Sequence, residues 1–275
     1  MIFKVERKKF ADFVRLSAVT GLTAAKDKVT YFEKLYVNGA ETEDGSMIRC
    51  AMLREELYCD IRCPVESLEE SGQMVFDFLA MKSALAEMTS KFITISLNTD
   101  TIEVSDDDGW AHIPRLDSTD HANERAVTAR KFQKLFDWDD EHYYYVNPTD
   151  GEKIVYDSWV HVDAAVLKSR LSRLNFLESV YYKLAMIDGK LGISVLAAEK
   201  GVRGKKHRTI PIVDYDGEFD VEYKEGIQPV ISTIGTGIVM LYYLDMPQIP
   251  TIVHHETQSG VQAMYTIPRK TTIRR

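Results

Sequence analysis

Apolar positions along this chain recur in two rhythms, and those rhythms alternate in the same order twice. At the amino end Ile2 to Val5 alternates as a short strand. Phe10, Phe13, Val14 and Ser17/Ala18 then recur at the three-and-four spacing that lays one face of a helix on a core. Strand patterns over Phe32 to Asn38, Met47 to Leu53 and Leu57 to Cys63 follow, set off by turn formers such as Asp44-Gly45. A strand at Met74 to Phe76 precedes a second helix with Phe78, Met81, Leu85 and Met88 on one face. Alternating strands at Phe92 to Leu97, Thr101 to Ser105 and Trp110 to Leu116 close the set. The order is strand, helix, four strands, helix, three strands.

A second copy, offset by about 155 positions, repeats this order with little shared lettering. Ile154 to Val162 reads as the opening strand, and Asp163 as the N-cap of a helix with Leu167, Leu171 and Leu174 on its core face. Strands follow at Tyr182 to Ile187, Leu191 to Ala197, Arg208 to Tyr215 and Phe219 to Tyr223. Ile227 to Ile234 takes the place of the second helix, with Pro229 tolerable only in its first turn. Ile238 to Leu244, Thr251 to His255 and Val261 to Pro268 complete the copy. Both copies end on one tripeptide, Ile113-Pro114-Arg115 and Ile267-Pro268-Arg269. The pattern divides the chain into domains at residues 1–118 and 153–275. A polar connection over 119–152 carries Asp137, Asp139, Asp140, Glu141 and a Tyr143-Tyr144-Tyr145 run. Connections of this length are functional or loosely ordered.

Composition narrows the class. The 275 residues are 45% hydrophobic and 28% charged with 8 prolines, the profile of a folded water-soluble chain long enough for two cores. No run nears the length of a membrane helix, and the first residues lack a basic segment followed by an apolar stretch, which points to the cytoplasm. Cys50, Cys59 and Cys63 are an odd number without a second Cys or His cluster. Neither a disulfide framework nor a zinc site is supported. With 34 Lys and Arg against 42 Asp and Glu, the net charge of −8 argues against a surface that coats nucleic acid all round and leaves room for one basic face.

Local segments then carry a resemblance. Met246-Pro247-Gln248-Ile249-Pro250-Thr251-Ile252-Val253 and Tyr265-Thr266-Ile267-Pro268-Arg269 look like the last two strands of the ring-shaped sliding DNA clamps, of the proliferating cell nuclear antigen and T-even phage type. Ile48 to Leu57 is similar to that family's strand-turn-strand beside the partner pocket, and Asp214-Tyr215-Asp216-Gly217-Glu218 resembles a phage-clamp segment. The resemblance spans nearly the whole chain. It implies an α+β fold of two tandem clamp domains, with antiparallel sheets outside and helices inside a ring. Two such domains per chain imply a homotrimer, because six domains close the ring in this family. The implied partners are double-stranded DNA held without regard to sequence, a DNA polymerase, a clamp loader and further copies of the chain, with no cofactor, no metal and no membrane.

A closed ring holds DNA by topology, so its bore needs only weak phosphate contacts from Lys and Arg on the free sides of core-packed helices. On the first helix Lys8, Asp12, Arg15 and Val19 fall opposite the core stripe. Lys26 and Lys28 follow it, and Lys82 and Lys91 flank the next helix. In the second copy Lys168, Arg170 and Arg173 flank the stripe, while Ile227 to Ile234 has no charge, which departs from an evenly basic bore. The loop from Glu199 to Arg208 adds Arg203, Lys205 and Lys206, and lacks the spacing and hydroxyl of a phosphate loop. By resemblance, Met52, Leu57, Pro250, Tyr265 and Pro268 wall a pocket for a partner peptide. The same resemblance implies that subunits join through sheet edges formed by Trp110, Ala111, His112 and Ile113 on one side and Arg208, Thr209, Ile210 and Ile212 on the other.

Two other readings compete. One is a processivity factor of related fold that stays monomeric or dimeric and holds DNA on an open face. The other is a metal-dependent DNA-processing enzyme using Asp106-Asp107-Asp108, although Asp residues before Gly109 read more simply as a hairpin turn. Gln133-Lys134-Leu135-Phe136 loosely resembles a clamp-binding peptide and reads as a helical turn. No set of nucleophile, base and orienting group emerges.

Overall fold

The computed structural model describes residues 1–22, 28–54, 57–116, 128–129, 131–139, 141–174, 180–197, 210–223, 227–246 and 248–269. In chain order its first elements are β1 (Ile2–Glu6), α1 (Arg7–Ala18), β2 (Thr20–Leu22), β3 (Lys28–Thr30), β4 (Lys34–Thr42), β5 (Gly45–Arg54) and β6 (Leu57–Pro64). There follow β7 (Ser67–Glu70), β8 (Gly72–Asp77), α2 (Phe78–Glu87), β9 (Phe92–Leu97), β10 (Thr101–Ser105) and β11 (Trp110–Pro114). The connection supplies β12 (Phe136–Trp138) and β13 (Tyr143–Val146), and β14 (Lys153–Val155) follows it directly. The second copy runs β15 (Ser158–Asp163), α3 (Ala164–Leu174), β16 (Val180–Ile187), β17 (Lys190–Ala197), β18 (Ile210–Asp214) and β19 (Asp220–Tyr223). It ends with α4 (Ile227–Ile234), β20 (Ile238–Tyr243), β21 (Thr251–Glu256) and β22 (Gln262–Ile267). No helix among the described residues is long and apolar enough to cross a membrane.

Two compact units emerge. The first comprises Met1–Val19, Thr30–Lys131 and Glu256–Met264. It holds an antiparallel sheet ordered β11-β10-β9-β1-β7 and a second run ordered β6-β5-β4-β8. Alternation decides which side of each strand is core: Phe3 and Val5 of β1, Ile93 and Ile95 of β9, and Ile102 and Val104 of β10 are all buried. Phe3 meets Phe10 of α1 edge to face at 5.7 Å, so α1 lies on that side. Phe10, Phe13, Val14, Leu16, Ser17 and Ala18 form the buried stripe of α1, which packs on α2 and on β6.

The ends of these helices are set by different devices. Asp77 accepts the Ala80 N–H at 2.9 Å and caps α2. Helix α1 has no side-chain cap and stops at Val19, a β-branched residue in the left-handed region at φ 46°. The strained turn is held by Tyr31 N–H on the Val19 carbonyl and Phe32 N–H on the Ala18 carbonyl, both 3.0 Å. Val19 is therefore fully buried, not on the free side of the helix as the spacing predicts.

The second unit comprises Thr20–Val29, Phe132–His255 and Tyr265–Arg275. Its sheets run β18-β17-β16-β19 and β15-β20-β21, with β12-β13-β14 as a separate three-stranded sheet. Asp163 accepts N–H bonds from Ala165 (2.7 Å) and Val166 (3.0 Å), as the N-cap reading expects. Helix α4 spans Ile227–Ile234, with only Ser232 of its residues short of full burial. It packs on β2, where a Cβ on Gly21 would come within 2.7 Å of Pro229 Cα, and Thr233 donates to the Thr20 carbonyl at 2.9 Å. The expected opening strand over Ile154 to Val162 is two strands, β14 and β15. They part where the buried Tyr156 turns inward and donates its hydroxyl to the Pro250 carbonyl at 2.9 Å.

Candidate nucleic-acid interface and strand edges

On α1 the exposed cation is Lys8. Arg15 is held by Asp12 at 3.0 Å, Lys9 faces Glu66 at 3.8 Å, and Arg7 donates to the Met88 carbonyl at 2.6 Å. Lys82 is exposed on α2. Lys91 has a different address: its ammonium lies 5.0 Å from the Phe92 ring centroid, with Lys4 5.6 Å from the same ring. Phe92 and Lys4 alternate with the buried Ile93, Phe3 and Val5, so both ammoniums sit on the sheet face turned away from α1. Lys91 thus leaves the helix-side set in which the spacing placed it.

In the second unit Lys168 is exposed and Arg170 half-buried on α3. Arg173 belongs to α3 and Lys28 to β3. Lys26, Arg203, Lys205, Lys206, Arg208 and Thr209 lie outside the described residues. The uncharged α4 adds no cation. Among the described residues the helix sides offer Lys8, Arg15 and Lys82 in one unit and Lys168 and Arg170 in the other.

The strands expected to join subunits are both sheet edges. Strand β11 ends the five-stranded sheet and β18 ends the four-stranded one. Arg115 N–H bonds the Asp100 carbonyl at 3.1 Å and Asp106 N–H bonds that of Gly109 at 2.9 Å, which fixes the phase of the β10–β11 ladder. Bonded pairs alternate in an antiparallel ladder, so Ala111 and Ile113 aim their backbone at β10 while Trp110, His112 and Pro114 aim theirs outward. The open edge thus presents two N–H donors, since Pro114 has none. Trp110 is 66% exposed beside His112 at 4.5 Å, and Ile113 is buried. On β18 Ile210 and Ile212 are half-buried and Pro211 is exposed. Prolines at both edges fit strands whose outer side is unpaired.

Of the proposed pocket residues, Met52, Leu57 and Tyr265 are core side chains, exposed by 1%, 5% and 0%. Pro250 and Pro268 stay half-exposed. Sequence reading missed the aromatic surface built by the connection. Tyr143 packs edge to face on Tyr242 (4.9 Å) and against Trp138 (4.5 Å), which in turn meets His254 (6.2 Å). Trp159 and His161, 5.0 Å apart on the adjoining face of β15, are exposed. The Tyr143-Tyr144-Tyr145 run was the signal that could have found it.

Asp106 is a turn anchor. Its carboxylate accepts the N–H groups of Thr89 (2.7 Å), Ser90 (2.9 Å), Asp108 (2.9 Å) and Gly109 (3.0 Å), and these bonds, led by those from Ser90 and Thr89, hold its pKa down at about 2. Asp108 accepts the Thr89 hydroxyl. Among the described residues no group of three or more His, Cys, Asp or Glu side chains is arranged to hold a metal ion. The three cysteines are free and buried, and burial pushes the thiols of Cys50 and Cys63 up to about 12.

No family model and no curated protein sequence matches the chain. Solved structures do, over nearly its whole length. A chain of the PCNA2–PCNA3 complex from Sulfolobus tokodaii is 13% identical with a TM-score of 0.60, covering 98% of this chain and 99% of that one. The A. fulgidus PCNA, solved with the C-terminal region of FEN-1 bound, is 9% identical with a TM-score of 0.60 and 98% coverage of both chains. The C. crescentus beta sliding clamp is 15% identical with a TM-score of 0.64, covering 99% of this chain and 65% of that one. The chain has the sliding-clamp fold: two clamp units of antiparallel sheets and paired helices.

Proposed function

We propose that this chain is a DNA sliding clamp that closes as a ring of three copies around duplex DNA and tethers a replicative polymerase. The observation that carries the reading is that, among the described residues, β11 ends a sheet of one unit and β18 a sheet of the other, in a chain whose fold matches PCNA chains over 98% of its length. An open edge is a liability unless a partner covers it. Joining β11 of one copy to β18 of the next removes both edges at every joint, and two clamp units per chain bring the ring to six with three copies.

The helix sides fit a sliding contact. A few separated ammonium and guanidinium groups attract phosphates without gripping any one of them, and the ring keeps the protein on DNA through topology instead of affinity. The acidic surplus of the whole chain then belongs to surfaces that need no DNA. Tethering falls to the half-exposed Pro250 and Pro268 and to the aromatic surface of the connection, where a partner segment can bury an apolar anchor. A clamp loader would be needed to open the ring. The work requires no catalytic group, and the full engagement of Asp106 by backbone N–H donors supports that view over a metal-dependent enzyme. Light scattering at micromolar concentration tests the assembly: three chain masses are expected, and a stable monomer would overturn the ring.

A further inference from the structure

Strands β5 and β6 place Arg49 directly opposite Arg62. Two like charges in register repel, and the pairing persists only if something holds it. That something is Asp60, two residues before Arg62 on the same side of β6 and only 3% exposed. Arg49 Nε and Nη2 donate to the two carboxylate oxygens at 2.6 Å each, and Arg62 Nη2 donates to Oδ2 at 3.2 Å. One buried anion thus backs two cations and leaves the trio with a net charge of +1. The Arg49 and Arg62 side chains are 30% and 43% exposed, with Nη1 of Arg49 and both Nε and Nη1 of Arg62 engaged by no bond to Asp60.

The trio also faces a defined way. Cys59, which alternates with Tyr58 and Asp60 along β6, points its Sγ at the Ser17 carbonyl of α1 (3.9 Å), so the arginines stand on the side of the sheet away from α1. In the proposed ring that side is not the bore. Neighbours in the same cross-strand row are uncharged: Asn38 lies opposite Arg49, and Ala51 opposite Asp60.

We infer that Arg49 and Arg62, braced by Asp60, form a binding site for a phosphate group on the face of the first unit turned away from α1. Asp60 closes the Nε/Nη2 fork of Arg49, beside which Tyr58 also lies, so a ligand would be held by the donors left open on Arg62 and drawn by the uncompensated charge of the pair. This suits a dianion better than a carboxylate, which one fork can satisfy, as Asp60 itself illustrates. Part of the ordering cost is already met on the protein side, because the carboxylate holds both side chains before a ligand arrives. The inference stands apart from the ring, since it uses only the first unit.

The test is an NMR titration of the full chain, following the Arg62 Nε–H signal at constant ionic strength. Sodium phosphate should shift it saturably, sodium chloride should not, and acetate should bind about tenfold more weakly or worse. Arg62→Gln, at an exposed position that leaves the Arg49–Asp60 pair intact, should weaken phosphate binding at least tenfold as read from the Arg49 signal. O-phosphoserine in place of phosphate distinguishes the source: tighter binding assigns the site to a phosphorylated protein segment, equal binding to the free anion. No saturable shift in the unaltered protein, an equal response to chloride, or unchanged binding in Arg62→Gln would overturn the site and leave the trio a brace for the β5–β6 pair.

Discussion

Replacing His112 by proline isolates the proposed subunit joint from the fold that presents it. The His112 N–H points to the open edge of β11, while the ladder to β10 runs through Ala111 and Ile113. Proline therefore deletes one of the two outward donors and none of the inward ones. A backbone hydrogen bond contributes about 0.5–1.5 kcal/mol net. A ring of three identical joints thus loses about 1.5–4.5 kcal/mol, or roughly 10-fold to 2,000-fold in its dissociation constant. His112 also loses its side-chain contact with Glu103 at 3.0 Å, an exposed pair whose worth is about 0–1 kcal/mol. His112→Ala measures that loss separately. Sedimentation velocity over a dilution series, paired with thermal melting, reads both properties. The expected result is a folded His112→Pro chain that dissociates at higher concentration than His112→Ala. A folded His112→Pro with unchanged assembly would refute the role of this edge. Ala111→Pro, by contrast, should destabilise the unit itself, because its N–H serves β10.

Further outcomes are expected elsewhere. Asp163→Ala removes the acceptor for two N–H groups at the start of α3 and should lower stability by about 1 kcal/mol in denaturant titration, with Asp163→Asn largely retaining it. Asp106 has a depressed pKa, so its contribution is fully present above the ordinary carboxylate range and is lost as pH falls toward about 2. Acid unfolding of Asp106→Asn should lack that component between about pH 4 and pH 2, and an unchanged acid profile would remove the anchor role. Reversing Lys8 and Lys168 to Glu should flatten the salt dependence of DNA association without altering oligomer mass; an unchanged salt slope would take α1 and α3 off the DNA side.

Much of this architecture was legible because burial imposes period. Phe92 to Leu97, Thr101 to Ser105 and Ile227 to Ile234 fall where alternation or helical spacing puts them, and Asp163 caps the helix it precedes. The short strands β2, β3 and β7 were not legible, since three or four residues carry no usable period and their pairing is decided by distant partners. In the connection, charge clusters masked two strands, β12 and β13, whose inward residue, Tyr143, owes its burial to Tyr242 and His254 far along the chain. The site was less legible than the fold. Spacing places Lys91 at a helix flank, but the ring of Phe92 draws its ammonium to the other side of the sheet. Met52, Leu57 and Tyr265 sit in motif-like segments, yet strand alternation turns them into the core. What a sequence motif marks is a strand; which of its faces meets solvent depends on what packs beneath.

Retention on DNA tests enclosure most directly. The protein, loaded onto a nicked circular duplex by the cognate loader or by spontaneous opening, is followed by gel filtration before and after the circle is cut. A ring that holds by topology stays with the closed template through high salt and is lost on linearisation. Equal retention on both templates would mean that the chain binds DNA by surface affinity, and the three-copy clamp would be wrong.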